Sequence, residues 1–535
     1  MSIAKLILTM SILLLSATAF SQTTPAPAET VYVHDTTVRV DTVVGILFAV
    51  MIFLMSREKK PMKADAIDGE ITKKHENIHR MIADLGSVLG SRAQTVEAKA
   101  ADTGATVFEE TIKLIDEAEA EDAIREFEAL IRTMDIEGIS RDQIPGTTLR
   151  NIALNYSRVG KWKDAANILE DYVRALPDDA DAYFLQAFVF DRLFEKTKDM
   201  AFLNLEVIAL ESATIHDPEF TEAFNNWGIA LSDLAEQKSD IDLFEQACGK
   251  YKKAIEIKPD YHEAYYNWGN ELSDLAKQKS DIDLFEQAFE KYKKAVEIKP
   301  DCHEAYYNWG IALSDLAEQK SDIDLFEKAC GKYKRAIEIK PDKHEAFNSW
   351  GLALSEVAGL TGESSWLEQA FEKYKKAIEI KPDDHDAFYN WGNALSDLAE
   401  QKSDIDLFAQ AFEKYKKAIE IKPDDQDAFC NWGFTLSKMA QMSHEPHWFD
   451  LAHEKLDKAL LLKSDAADVH FNKAWVYALQ EMKSETLACL KRAVELDPNF
   501  RSEARKDEDF KAYLDDPDFK ALVGEPDEEP PKAEA

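Results

Sequence analysis

The sequence predicts an all-α protein: a solenoid of stacked helical units behind an N-terminal signal and membrane-anchor region. Three observations carry this prediction. Trp227, Trp268, Trp309, Trp350, Trp391 and Trp432 recur at a constant step of 41 residues, and a fixed period of this size marks stacked repeats rather than one core. Within one period, His262 to Cys302, apolar residues fall at helical spacing in two runs separated by capping residues. The chain of 535 residues also exceeds what a single hydrophobic core usually organises. A solenoid escapes that limit because each unit buries its apolar face only against its neighbours.

Met1 to Ser21 has an early positive charge at Lys5, an apolar run from Ile7 to Leu15, and Ala19-Phe20-Ser21 as a small-x-small cleavage site. Residues 1–21 therefore read as a signal peptide, or as a first hydrophobic segment if retained. Residues 22–41, rich in Thr, Pro and Val, read as an extended linker. Thr42 to Ser56 is free of charge and lacks the polar face a soluble helix would need. As a helix it would cover roughly 22 Å, short of a hydrocarbon core of about 30 Å. Arg39 before it and Arg57, Lys59 and Lys60 after it can snorkel to close the gap. The expectation is a transmembrane helix over residues 42–56, with a buried or interfacial segment as the alternative. Arg57, Lys59, Lys60 and Lys63 outnumber Arg39, so the positive-inside rule puts the remainder of the chain in the cytoplasm. If residues 42–56 do not span, the protein is periplasmic instead.

Residues 57–145 read as a juxtamembrane helical spacer. Ala64 to about Lys99 sets Ile71, Ile78, Ile82, Leu85 and Leu89 at helical spacing, which suits a spacer helix or a short self-associating coil. Ala101 to Gly104 interrupts the pattern, Phe108 to Met134 resumes it as two stretches, and Pro145-Gly146 marks the start of the repeats. In the His262–Cys302 period, Asp260 with Glu263 has the spacing of a capping box and predicts the start of a helix A. Its apolar face is Ala264, Trp268, Leu272, Leu275 and Ala276. Ser280 with Asp283 predicts a second cap, opening a helix B that turns Leu284, Phe285, Ala288, Phe289, Tyr292, Ala295 and Ile298 inward. Pro300 ends the unit.

These residues resemble the tetratricopeptide repeat (TPR). Its signature, W-x2-L-G-x2-Y and then A-x3-F-x2-A-x4-P, is matched by Tyr265-x2-Trp268-Gly269-x2-Leu272 and by Ala288-x3-Tyr292-x2-Ala295-x4-Pro300. Gly269 and Ala288 are expected to let helices A and B approach, and Ala295 to admit the next helix A. The family unit has about 34 residues and this one has 41, so about one added turn on each helix is expected. Asn151 to Pro177 and Ala467 to Phe500 fit the plain length. About nine units are expected over residues 146–500, seven of them long, between Ala180 and Ala466. Gln186 and Lys473 stand at the Trp position in the copies starting at Ala180 and Ala467. The resemblance implies a right-handed α-α superhelix. Residues 501–524 resemble the family's terminal helical cap, with Phe510, Leu514, Phe519 and Leu522 covering the last hairpin. Residues 525–535, acidic and Pro-rich, are expected to be disordered.

In this family the A helices line a concave surface and usually bind extended peptides or partner helices, which singles out three series. Asn226, Asn267, Asn308, Asn390 and Asn431 precede the Trp, with Ser349 in one copy. A side-chain amide pairs with both N–H and C=O of a peptide backbone, so this ladder suits sequence-tolerant binding; Asn here also caps or fills. Asp233, Asp274, Asp315, Glu356 and Asp397, with Lys438 in the last copy, each follow a serine such as Ser273. The resemblance puts this Ser-acid pair on the groove, where an acidic strip favours a basic or neutral ligand, the alternative being a solvated face. Some family members grip a terminal carboxylate here with Lys and Arg, which acids replace in all but the last copy. His262, His303, His344 and His385 are expected to be exposed and about 10 Å apart, too far to share one metal ion.

The net charge of −37 speaks against a nucleic-acid partner, which needs a basic footprint. Cys248, Cys302, Cys330, Cys430 and Cys489 form neither a CxxC pair nor a disulfide framework. Cys248 and Cys330 alternate with Phe289, Phe371 and Phe412 at one repeat position and are expected to be buried and inert. No phosphate-cradling loop, nucleophile elbow or HExxH is present, so no enzyme, cofactor or metal is expected. The expected function is a membrane-anchored scaffold binding other proteins through the A-helix groove. The rival is a structural spacer or self-assembling rod.

Overall fold

The computed structural model describes residues 64–102, 112 and 115–524. The expected signal segment, linker, transmembrane run and acidic tail lie outside the described residues. The chain divides into two compact units, residues 1–81 and 82–535. Among the described residues there is no strand, and no helix is long and apolar enough to cross a membrane.

Helix α1 (Ala64–Asp102) turns Ile82, Leu85 and Leu89 into the second unit's core. Helix α2 (Glu117–Glu137) buries Ala120, Ile124, Phe127, Leu130 and Met134. Nine hairpins follow, each a helix A and a helix B: α3 (Gly146–Arg158) with α4 (Trp162–Ala175), α5 (Ala180–Thr197) with α6 (Met200–His216), and α7 (Thr221–Lys238) with α8 (Ile241–Ile257). Next come α9 (His262–Lys279) with α10 (Ile282–Ile298), α11 (His303–Lys320) with α12 (Ile323–Ile339), and α13 (His344–Thr361) with α14 (Ser364–Ile380). The last three are α15 (His385–Lys402) with α16 (Ile405–Ile421), α17 (Gln426–Ser443) with α18 (His447–Leu462), and α19 (Ala467–Leu479) with α20 (Lys483–Leu496). Each helix packs on its sequence neighbours, which makes the array an all-α superhelix of stacked hairpins. α2 packs on α3, so the hydrophobic stack runs past Gly146 toward the N-terminus.

The extra length of the long unit lies in its helices. Helices α3 and α4 have 13 and 14 residues, α9 and α10 have 18 and 17. Helix A thus gains five residues, helix B three, and the turn between them shortens from three residues to two.

That two-residue turn corrects both expected caps. Ser280 does not open helix B; it closes α9 in the left-handed region at φ 51°, and Asp281 caps α10 by accepting from the N–H groups of Asp283 and Leu284. A tight reversal needs one left-handed residue before the chain can re-enter a helix, which moves the cap one position on. Asp260 does not cap α9 either. The residue at the cap position is Tyr261, with no side-chain bond. Where an Asp occupies that position, at Asp384 and Asp425, its carboxylate accepts from the N–H of Ala387 and Ala428.

The core lies between hairpins. Leu272, Ala276, Phe285, Ala288 and Tyr292 of α9 and α10 pack with Ala312 and Leu316 of α11, and the pattern repeats along the stack. The marker tryptophans pack against these clusters but are only half-buried, so they are the edge of the core rather than its centre. At the C-terminal end, α21 (Phe500–Lys506), a 3-10 turn (Glu508–Tyr513) and α22 (Pro517–Val523) bury Phe510, Tyr513, Phe519 and Val523 against Phe471 and Trp475. Leu514 is exposed and Leu522 only partly buried, so Tyr513 and Val523 take the places expected of them.

Candidate functional site

Successive A helices approach one another along the stack, whereas successive B helices stay farther apart. The A helices therefore form the inner, concave wall. Close A–B packing depends on a glycine in helix A: a Cβ on Gly269 would lie 2.8 Å from the Tyr292 ring, and Gly228, Gly310, Gly351 and Gly392 face Tyr251, Tyr333, Tyr374 and Tyr415 in the same way. These tyrosines are fully buried.

The Asn ladder sits between neighbouring A helices. The Asn267 amide donates to Asn225 Oδ1 at 3.0 Å and Asn390 to Asn348 Oδ1 at 3.2 Å. Asn308 donates to Tyr266 Oη (2.9 Å) and Asn270 Oδ1 (3.0 Å), and Asn431 to Tyr389 Oη (2.8 Å) and Asn393 Oδ1 (3.1 Å). Asn226 Oδ1 accepts from Asn225 at 3.3 Å. All are half-buried, and the amide donors of four of them already tie one hairpin to the preceding one.

The Ser-acid pair divides between two environments. Ser273 is buried, as are Ser396 and Ser437, so the serine half does not face the groove. Ser314 and Ser355 hydrogen-bond the buried Tyr333 and Tyr374 hydroxyls at 3.1 and 3.2 Å. One residue on, the side chain swings outward: Asp274, Glu356 and Asp397 are exposed, and Asp233 and Asp315 half-buried. Although Asp274 and Asp397 keep exposed surface, desolvation by the surrounding wall, and then neighbouring carboxylates, chiefly Glu236 and Glu400, push Asp233, Asp274 and Asp397 up to about 6. Burial and then Glu318 raise Glu356. Lys277 bonds Asp315 at 3.2 Å and Lys438 bonds Glu400 at 3.1 Å, so these cations are already engaged.

Two further carboxyls lie inside the stack. Glu271 replaces the alanine found at Ala230, Ala312, Ala353 and Ala394 and is 2% exposed. Ser232 donates to one of its oxygens; the other has no partner among the described residues. Burial pushes Glu271 up to about 8 and Glu206 up to about 9.

His262, His303 and His344 are not exposed as expected; their side chains are 18% accessible. The next hairpin covers them, and His344 Nδ1 lies 2.7 Å from the Asp384 carboxylate. Cys248 and Cys330 are half-buried rather than buried, and burial pushes their thiols up to about 12, so they hold little thiolate. Among the described residues, no three His, Cys, Asp or Glu side chains are grouped to hold a metal ion.

One series escaped the sequence reading. A lysine 23 residues after each marker tryptophan lies over its indole: Lys250 on Trp227 at 3.2 Å from the centroid, Lys291 on Trp268 at 3.7 Å, Lys332 on Trp309 at 3.2 Å. Lys373, Lys414 and Lys455 cover Trp350, Trp391 and Trp432 at 3.9, 3.6 and 4.6 Å. Burial lowers the first five ammonium groups, and the ring face offsets part of that cost. The constant 23-residue offset was visible in the sequence.

Residues 366–398 match a family model described as TPR repeat, and residues 467–500 match one described as tetratricopeptide repeat. These two stretches of the chain are tetratricopeptide repeats. The first match runs from helix B of one hairpin into helix A of the next, the junction whose four-residue turn keeps the ordinary length. Among solved structures, the chain is similar to YrrB, titled a TPR protein with an unusual peptide-binding site (24% identity, 41% of this chain and 95% of that one, TM-score 0.29). It is also similar to a MamA protein (27% identity, 37% and 92%, TM-score 0.27) and to PilF of Pseudomonas aeruginosa (16% identity, 47% and 97%, TM-score 0.33). No curated protein matches the chain. The TPR array is a protein–protein interaction scaffold, of a family that is in general non-catalytic.

Proposed function

We propose that the TPR array recruits a basic extended peptide or helix of another protein to its concave A-helix wall, and that residues 42–56 anchor it in a membrane with the array on the cytoplasmic side. One observation carries the binding reading. The wall carboxyls of Asp233, Asp274 and Asp397 are held up to about 6, first by desolvation and then by the neighbouring carboxylates. A ligand ammonium or guanidinium relieves that repulsion, whereas a ligand carboxylate adds to it. The acidic balance of the whole chain speeds encounter with such a ligand.

Titrating an arginine-containing peptide into the full chain tests the wall. Asp233→Asn, Asp274→Asn and Asp397→Asn together are expected to weaken binding about tenfold or more, and salt to weaken it further. Unchanged affinity in the triple variant removes the wall from the account. The anchor reading rests on the uncharged run and on Arg57, Lys59, Lys60 and Lys63 behind it. Protease added outside intact spheroplasts is expected to spare the repeats; their degradation contradicts a cytoplasmic array.

A further inference from the structure

Two of the grooves between successive B helices are alike in size and differ in chemistry. Between α10 and α12 the groove holds about 430 Å³; Trp309 of α11 floors it, and Lys328 and Lys332 of α12 form its charged rim. Between α4 and α6 lies a groove of the same volume, about 430 Å³, with Gln186 at the Trp309 position. There Leu205 stands for Lys328 and Ala209 for Lys332, and Phe190 and Phe202 line the floor. No ring with its covering lysine fills this groove.

The outer face of α6 departs from its sisters as well. Five later B helices each carry an ion pair at one pair of positions: Lys253–Glu256, Lys294–Glu297, Arg335–Glu338, Lys376–Glu379 and Lys417–Glu420, at 2.8, 2.7, 2.9, 2.5 and 2.6 Å. In α6 those positions hold Ser212 and Ile215. Leu205, Ile208 and Ile215 are 41%, 57% and 67% exposed on one face of α6, and the first two line the groove. Isolated surface aliphatics are ordinary, but three on one helix face, one of them in place of a repeated ion-pair carboxylate, mark an interaction face.

We infer that the groove between α4 and α6 is a second docking site, on the side opposite the acidic wall, for an amphipathic helix of another protein. An aromatic side chain of that helix enters the groove against Phe190 and Phe202, and its aliphatic residues lie along Leu205, Ile208 and Ile215. Helix-in-groove recognition reads anchors at this spacing. A single helix fits better than a second folded copy, because three partly exposed aliphatic side chains fall far short of the ~800 Å² per partner that a stable interface between folded bodies buries.

The test uses the full chain and a fluorescent 18-residue helix of Leu and Gln with one Trp on its apolar face, uncharged so that the acidic wall contributes nothing. A version with that Trp replaced by Ala is the control. Anisotropy is expected to show the Trp helix binding at least about tenfold tighter than the Ala helix. Leu205→Gln, Ile208→Glu and Ile215→Glu install what α10 carries at Gln287, Glu290 and Glu297, so the fold tolerates them, and together they are expected to remove that binding. Asp274→Asn with Asp397→Asn is expected to leave it unchanged. Equal affinity for the two helices, or no loss in the triple variant, overturns the inference. So does light scattering that shows a dimer of the wild type which the triple variant dissociates, because a second copy then occupies the groove.

Discussion

The Tyr292 ring occupies the space where a side chain on Gly269 would begin, its Cε1 2.8 Å from the position of a Cβ. This contact sets how closely α9 and α10 pack, and it recurs with the same partners along the array. Gly269→Ala is expected to cost about 1–3 kcal/mol, because the ring is fully buried and cannot yield. Gly249→Ala, in an exposed helical position with nothing within 4 Å, is expected to add up to about 1 kcal/mol. Urea unfolding, with hydrogen exchange to localise the change, distinguishes the two.

A second prediction concerns the turn. Ser239, Ser280, Ser321 and Ser403 close their A helices at φ 50–52°, whereas Gly362 does so in α13 at φ 70°. A side chain in this region costs about 1 kcal/mol. Ser280→Gly is therefore expected to raise the melting temperature, and Gly362→Ser to lower it.

The Asn ladder yields a third. Asn308 makes two hydrogen bonds to the preceding A helix, so Asn308→Ala is expected to cost about 1–2 kcal/mol and to loosen the α9–α11 contact. A ladder that serves only a ligand predicts unchanged melting and a binding defect. Thermal melts of the variant decide between them.

The buried carboxyls make stability depend on pH. Glu206 is held up to about 9 against an ordinary 4.5, so the folded state keeps a proton that the unfolded chain releases. Its contribution is therefore fully present below about pH 4.5 and is lost as pH rises to about 9. His262 and His303 act in the opposite sense, since burial lowers them and stability gains as pH rises toward the ordinary 6.5. Comparing Glu206→Gln with wild type isolates the carboxyl. The variant is expected to gain about 1–3 kcal/mol relative to wild type between pH 5 and pH 9 in paired urea melts.

The sequence made the hairpin legible because Gly269, Ala288 and Tyr292 repeat with the stack they build, and Trp268 repeats at its edge. It was less informative wherever one position serves two geometries. A Ser-Asp dipeptide has the composition of a cap whichever residue does the capping, and only the left-handed turn at Ser280 shows that it is Asp281. Ser273 and Asp274 are adjacent, yet a helical step of about 100° sends one to the tyrosines and the other to solvent. The histidines looked exposed because the hairpin that covers them lies 41 residues on. The lysine over each indole was periodic and could have been read. The apolar face of α6 needed the sister helices' ion pairs beside it before Ile215 stood out.

The central claim is that the A-helix wall takes a cation from its partner, and proton release measures it most directly. At pH 6 the carboxyls of Asp233, Asp274 and Asp397 are part-protonated, and a bound guanidinium lowers them. Calorimetry of an arginine-containing peptide binding the full chain at pH 6, in two buffers of different ionisation enthalpy, is predicted to show release of about one proton per peptide. That release is predicted to vanish in the triple Asp→Asn variant. Binding without proton release, or with proton uptake, would contradict an acidic wall as the site.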